Sequence, residues 1–180
     1  EAGFKAGDPV LDRASKWLVG RQILDVAGDW AEKAPDVRPG GWAFQYWNDH
    51  YPDVDDTAVV VMALHRTDAE KYKIAIDRGI EWVMGMQSRN GGWGAFDVDN
   101  DYNVLQHIPF ADHGALLDPP TADVSARCLG MLAQVGYTTA EPAVACAIEY
   151  LRREQEEDGS WFGRWGNNYV YGTWSVLCAL

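Results

Sequence analysis

An all-α fold built from stacked helix pairs is what this sequence predicts, and a repeat written in Trp and Gln is the main reason. Three stretches share it: Trp17 to Gln22 followed by Gly40-Gly41-Trp42, Trp82 to Gln87 followed by Gly91-Gly92-Trp93, and Tyr150 to Gln155 followed by Gly159-Ser160-Trp161. The aromatic always precedes Gln by five positions, and successive Gln residues lie 65 and 68 apart. A unit of that size holds two helices with their connections, and internal repeats of this kind stack so that neighbours bury a shared core. Two further observations agree: apolar residues recur at helical spacing between the signatures, and Pro142 sits where a first helical residue tolerates it.

The elements follow in order. Arg13 to Gln22 carries the first signature and reaches Gly40-Gly41-Trp42 after an insertion. Val59-Val60-Val61 alone suits a strand, but inside a helical repeat it reads as a buried helix. Tyr72, Ile76, Ile80, Val83 and Gln87 fall on one helical face, as do Val124, Cys128, Met131 and Val135. After Thr138-Thr139-Ala140-Glu141, Pro142 opens a helix whose apolar stripe is Val144, Ile148 and Leu151. Gly91–Pro120 and Asp158–Asn168 are rich in Gly, Asn, Asp and Pro and read as long ordered loops, the kind that carry function. Within each signature the Gln suits a hydrogen bond to backbone at a helix end, with the aromatics packed on neighbouring helices. Those residues staple the fold and do no chemistry.

Composition narrows the function. The 180 residues contain no linker and read as a single domain, residues 1–180; starting on Glu1 and ending inside an apolar segment, they read as a fragment of something longer. A net charge of −12 with no basic run argues against a nucleic-acid surface. Three Cys at distant positions, Cys128, Cys146 and Cys178, read as reduced thiols. No run reaches the ~18 apolar residues of a spanning helix, which leaves a monotopic membrane contact open.

Chemistry concentrates in Pro52-Asp53-Val54-Asp55-Asp56-Thr57, three carboxylates within four residues at the head of the apolar run Ala58 to Leu64. Two readings stand side by side. Asp at a helix start caps free N–H groups and suits the dipole. Alternatively, like charges crowded into apolar surroundings resist joint ionisation, which keeps one carboxylic acid protonated and able to protonate a weak base such as an alkene. Metal readings fare worse. Asp97-x-Asp99-x-Asp101 opens like a calcium loop, but Tyr102 takes the turn Gly position and Ile108 the closing Glu position. The four His, His107 and His113 included, lack ligand spacing, and the acid cluster is not a DDxxD pattern.

With the repeat and the Asp-Val-Asp-Asp-Thr-Ala stretch together, the chain resembles the squalene–hopene cyclases. The repeat is similar to that family's QW motif and Asp53-Val54-Asp55-Asp56 to its DxDD motif. The likeness runs from about Trp17 to Leu180 and takes in Gly41-Trp42-Ala43-Phe44-Gln45, Trp93 to Asn100, His107 to Asp112, Asp118-Pro119-Pro120 and Gly163 to Tyr169. The resemblance implies an α/α barrel (toroid) and protonation of squalene followed by cationic polycyclisation to hopene or hopanol. It implies no cofactor and no metal. It also implies a monotopic, peripheral seat on the cytoplasmic side of a bacterial membrane, with a homodimer left open. Hopene formation is an isomerisation, and hopanol formation a lyase-type hydration. The chain would be the part of the catalytic barrel that carries the acid, inactive by itself.

Roles are implied residue by residue. Asp55 matches the proton donor, with Asp53 and Asp56 polarising and orienting it. Four residues past Asp123, where the family's motif has His, stands Arg127. Arg keeps its charge, so it stabilises an ionised aspartate without relaying a proton, and re-protonation of Asp55 falls to ordered water near Asp123. An ion pair along one helix is the plain alternative for Asp123 and Arg127. Phe44, Phe96, Trp165 and Tyr171 match cavity aromatics whose faces favour positive charge, Gln45 matches a polar residue that positions water, and Phe110 matches a constriction in the substrate channel. A class II diterpene cyclase acting on a prenyl diphosphate, and a non-catalytic helical toroid that binds a partner, are the competing readings.

Overall fold

The computed structural model describes residues 3–5, 7–101, 117–166 and 168–180. Six α-helices carry the fold among the described residues: α1 (Pro9–Val19), α2 (Val54–Asp68), α3 (Lys73–Gly85), α4 (Ala122–Gln134), α5 (Pro142–Arg153) and α6 (Asn168–Ala179). Local chemistry starts several of them. Asp8 accepts a hydrogen bond from Val10 N–H ahead of Pro9, Asp53 accepts one from Asp56 N–H, and Pro142 opens α5 as expected. A two-strand antiparallel ribbon pairs β1 (Trp42–Ala43) with β2 (Pro52–Asp53), Trp42 opposite Asp53, so β2 runs straight into α2.

The helices form two layers. In the inner row α4 lies between α2 and α6; in the outer row α1 and α3 pack on α2, and α5 packs on α4. This alternation of outer and inner helices is the all-α arrangement predicted, an arc of an α/α barrel. Apolar side chains that face the inner–outer boundary make the core: Val61, Leu64, Trp82, Val83, Trp93, Met131, Leu132 and Leu151 are essentially without solvent contact. Val59-Val60-Val61 is helical, but only Val61 is buried while Val59 is exposed. Consecutive residues on a helix point about 100° apart, so Ala58, Val61 and Leu64 share the core face and Val59 looks the other way.

The repeat is a repeated set of hydrogen bonds. Gln22, Gln87 and Gln155 donate from Nε2 to Gly40, Gly91 and Gly159 carbonyls at 2.8, 2.8 and 3.0 Å. The first two donate again to the next outer helix, at Ala75 and Ala143 carbonyls, both at 2.9 Å. The loop Trp indoles donate to Leu18, Val83 and Leu151 carbonyls near the ends of α1, α3 and α5. Their backbone N–H groups donate to Thr57, Ser125 and Thr173 hydroxyls on the inner helices, each at 2.9 Å. Each signature therefore ties an outer helix end to the inner helix that follows. Trp82 and Tyr150 are buried as the packing role requires, whereas Trp17 is half exposed and lies against Arg21 and Tyr46.

Candidate active site

The carboxylate cluster sits where β2 becomes α2. Val54 N–H donates to Ala95 O at 2.8 Å, which pins the first helical residue to the loop after Trp93. Asp53 is the N-cap and is buried, and burial pushes its carboxyl up to about 7 against the pull of Asp56 N–H. The capping reading of this stretch is therefore satisfied by Asp53. Burial likewise raises Asp55 to about 6, the Arg127 guanidinium opposing it and the charges of Asp56 and Asp123 adding to it. Asp56, less buried, is raised by burial and lowered by Arg127.

Arg127 lies across the α2–α4 gap from Asp55, its Nε 3.1 Å from Asp55 Oδ1. That distance makes an ion pair, but the groups are out of line for a hydrogen bond, and Oδ1 is a buried oxygen with no hydrogen-bond donor among the described residues. The ion pair along α4 between Arg127 and Asp123 is not formed. Asp123 instead accepts from Thr121 Oγ1 at 2.6 Å and from Val124 N–H through one oxygen, and from Trp165 N–H at 2.8 Å through the other. Arg127 Nη2 donates to Tyr171 Oη at 2.5 Å and its guanidinium stands 5.9 Å from the Trp174 ring centroid. The N-terminal turns of α2, α4 and α6 thus meet at one place.

The predicted aromatics divide into two groups. Phe96 and Trp165 pack edge to face at 6.1 Å, Trp165 being fixed by Asp123, with Tyr171 nearby on Arg127. Phe44 and Gln45 line a separate pocket of about 260 Å3 that Asp56 also borders, and Phe44 is exposed. Phe110 lies outside the described residues. A larger cavity of about 660 Å3 runs along the inner faces of α2, α4 and α6, from Arg127 past Met62, Gly130 and Trp174 to Cys178.

Two residues of this neighbourhood carried no assigned role in the sequence. Trp174 follows Tyr171 by three positions, so helical spacing alone places both on one face. Asp118 had only its place in Asp-Pro-Pro, yet it is buried and accepts from three successive backbone N–H groups, those of Ala95, Phe96 and Asp97. No sequence pattern announces such a cage, because the donors lie 21 to 23 residues away.

The chain is similar to known proteins over its whole length. The family described as squalene-hopene cyclase C-terminal domain matches residues 1–180. A squalene-hopene cyclase of Schizosaccharomyces japonicus is 63% identical over 172 residues, covering 96% of this chain and 26% of that protein. One from Zymomonas mobilis is 63% identical over all of this chain and 28% of its own length. One from Alicyclobacillus acidocaldarius is 52% identical over 99% of this chain and 29% of its own. The chain thus spans under a third of the length of these relatives. A helix-pair arc stapled by three Gln/Trp signatures, with inner helix ends gathered on a carboxylate cluster, and a match over every residue place the chain in the squalene-hopene cyclase family.

Proposed function

We propose that residues 1–180 are the acid-bearing part of the catalytic barrel of a longer squalene–hopene cyclase, and that Asp55 is its Brønsted acid. The observation that carries this is Asp55 itself: a carboxyl raised to about 6, with one buried oxygen free of hydrogen bonds and a guanidinium 3.1 Å away. Burial holds its proton to about pH 6, well above an ordinary aspartate, and Arg127 stabilises the carboxylate left when the proton is given up. The substrate is named by what the relatives are called and by the apolar, aromatic surroundings.

In this reading the Asp55 O–H bond breaks toward the less substituted carbon of squalene's terminal alkene, and the positive charge appears on the tertiary carbon. Neighbouring double bonds then attack in turn, each ring closure moving the charge onward. Loss of a proton from the last cation gives hopene, a net isomerisation; capture of water gives hopanol. Phe96, Trp165 and Tyr171 offer ring faces to the migrating charge, each contact being worth roughly 0.5–2 kcal/mol. Phe44 and Gln45, in the pocket that Asp56 borders, serve the same reaction, Gln45 by holding water. Asp53 and Asp56 orient Asp55, and Asp123 fixes Trp165 while a water beside it returns the proton. The full-length protein would sit on the cytoplasmic face of a bacterial membrane, where squalene dissolves. Among the described residues no helix is long and apolar enough to cross one.

The test is Asp55→Asn in the full-length enzyme. Folding, followed by circular dichroism, should survive, and hopene formation from squalene should fall by on the order of 10,000-fold. Turnover retained near the parent level would defeat the assignment.

A further inference from the structure

Asp118 is far from Asp55 in sequence and sits in no catalytic motif, yet two loops of the site converge on it. Its Oδ1 accepts Ala95 N–H at 3.0 Å, and its Oδ2 accepts Phe96 N–H at 2.5 Å and Asp97 N–H at 2.9 Å. The residue before it, Leu117, accepts Arg164 Nη2 at 2.8 Å through its carbonyl. One short segment therefore holds both the loop that presents Phe96 and the loop that presents Trp165, the edge-to-face pair at the site. The Ala95 carbonyl in turn takes the N–H of Val54, the residue between Asp53 and Asp55.

Three donors on two oxygens require a carboxylate; an amide would turn its NH2 against at least one N–H. The fit leaves no slack. A Cβ on Gly94 would lie 2.6 Å from Asp118 O, 2.7 Å from Asp118 Oδ2 and 3.0 Å from Asp97 O. Burying a carboxylate costs several kcal/mol unless its lone pairs are filled, and here the three N–H donors fill them.

We infer that Asp118 is a positioning residue for the acid cluster: by gathering the Ala95–Asp97 amides it places the Ala95 carbonyl on Val54 N–H, and so sets where α2 begins and where Asp55 points. The inference rests on Asp55 being the acid. When the cage fails, the loop lifts from the start of α2 and water reaches the cluster. Burial then no longer holds the carboxyls up, and the acid stays protonated only to a lower pH.

Two variants of the full-length enzyme attack the contact from opposite sides. Asp118→Asn removes an acceptor, and Gly94→Ala displaces the Asp118 carboxylate without changing its chemistry. Each should lower kcat for squalene by roughly 10- to 100-fold and move the alkaline limb of the kcat–pH profile toward acid. The double variant should be no worse than the worse single. Unchanged kcat and pH limb in folded variants, or loss of folding in both, assigns Asp118 to stability alone and overturns the inference. Asp55→Asn, run beside them, separates the two readings. If it stays active, the acid assignment fails; if it is inactive while Asp118→Asn behaves as the parent, only the positioning role fails.

Discussion

Asp55 is subject to two opposed forces, and their balance decides what a substitution at Arg127 does. Burial raises its carboxyl and is the larger effect; the Arg127 charge at 3.1 Å lowers it. With Asp55 as the proposed acid, its protonated form does the work, so activity should fall as pH rises through about 6, the value burial and Arg127 set together. Arg127→Gln removes only the lowering influence. The alkaline limb should therefore move to higher pH, while kcat on the acid plateau drops on the order of 100-fold because the product carboxylate loses its counter-charge. A kcat–pH profile of the full-length variant checks both. A limb that stays put would show that Arg127 does not act on Asp55 electrostatically. A His at this position would titrate in the same pH range as the acid, whereas Arg remains a fixed charge.

At the level of elements, the Gln of the first two signatures works as a double donor. Gln87 Nε2 bridges the Gly91 carbonyl of its own loop and the Ala143 carbonyl at the start of α5, so one amide ties two connections together. Gln87→Ala should cost about 1–3 kcal/mol, the range for leaving partners unsatisfied. Gln87→Glu keeps the shape but sets a carboxylate against two carbonyls, and should cost more than Ala at neutral pH. Urea unfolding of the full-length pair gives the ranking. If Glu proves milder than Ala, the residue acts by volume and not by its N–H groups. The backbone end of the motif shows the same logic: Trp42, Trp93 and Trp161 each give their N–H to a hydroxyl, at Thr57, Ser125 and Thr173. Thr57 lies on the acid helix, four residues past Asp53, whose carbonyl its own hydroxyl bonds at 2.6 Å. The staple and the site therefore share a turn of helix.

Over the whole molecule, α4 is the keystone because it touches both inner neighbours and α5. Its residues face two ways. Leu132 is fully buried in the core, while Arg127, Gly130 and Gln134 face the cavity of about 660 Å3. Leu132→Ala should cost about 2–5 kcal/mol, since three packed helices cannot all close on the gap. Leu132→Met, which conserves volume, should cost under about 1.5 kcal/mol. Thermal unfolding measured in parallel tests this, and near-equal losses would mean that the site relaxes freely around the hole.

How far the chain could be read without coordinates varied with distance along it. The helix pairs, their order and the stapling role of Gln and Trp were legible, because periodicity, Pro142 and the spacing of the signature are local and repeat. The cluster Asp53, Asp55 and Asp56 was legible as unusual for the same reason: three carboxylates beside an apolar run stand out in a short window. Its division of labour was not. That Asp53 is the cap while Asp55 keeps a buried oxygen free depends on the turn from β2 into α2 and on the Ala95 carbonyl, which arrives from another repeat. Whether Arg127 would pair along its own helix with Asp123 or across to Asp55 could not be decided from spacing either. The outcome follows from the gap between α2 and α4 and from Trp165 N–H occupying Asp123. Asp118 was invisible for a related reason, since a carboxylate caged by backbone amides has no side-chain partner to covary with or to count. Sequence by itself therefore determined the repeating helices and the presence of crowded acids, both products of short-range pattern. Tertiary structure alone decided which acid is free and what holds it there, because those depend on groups brought together from separate repeats.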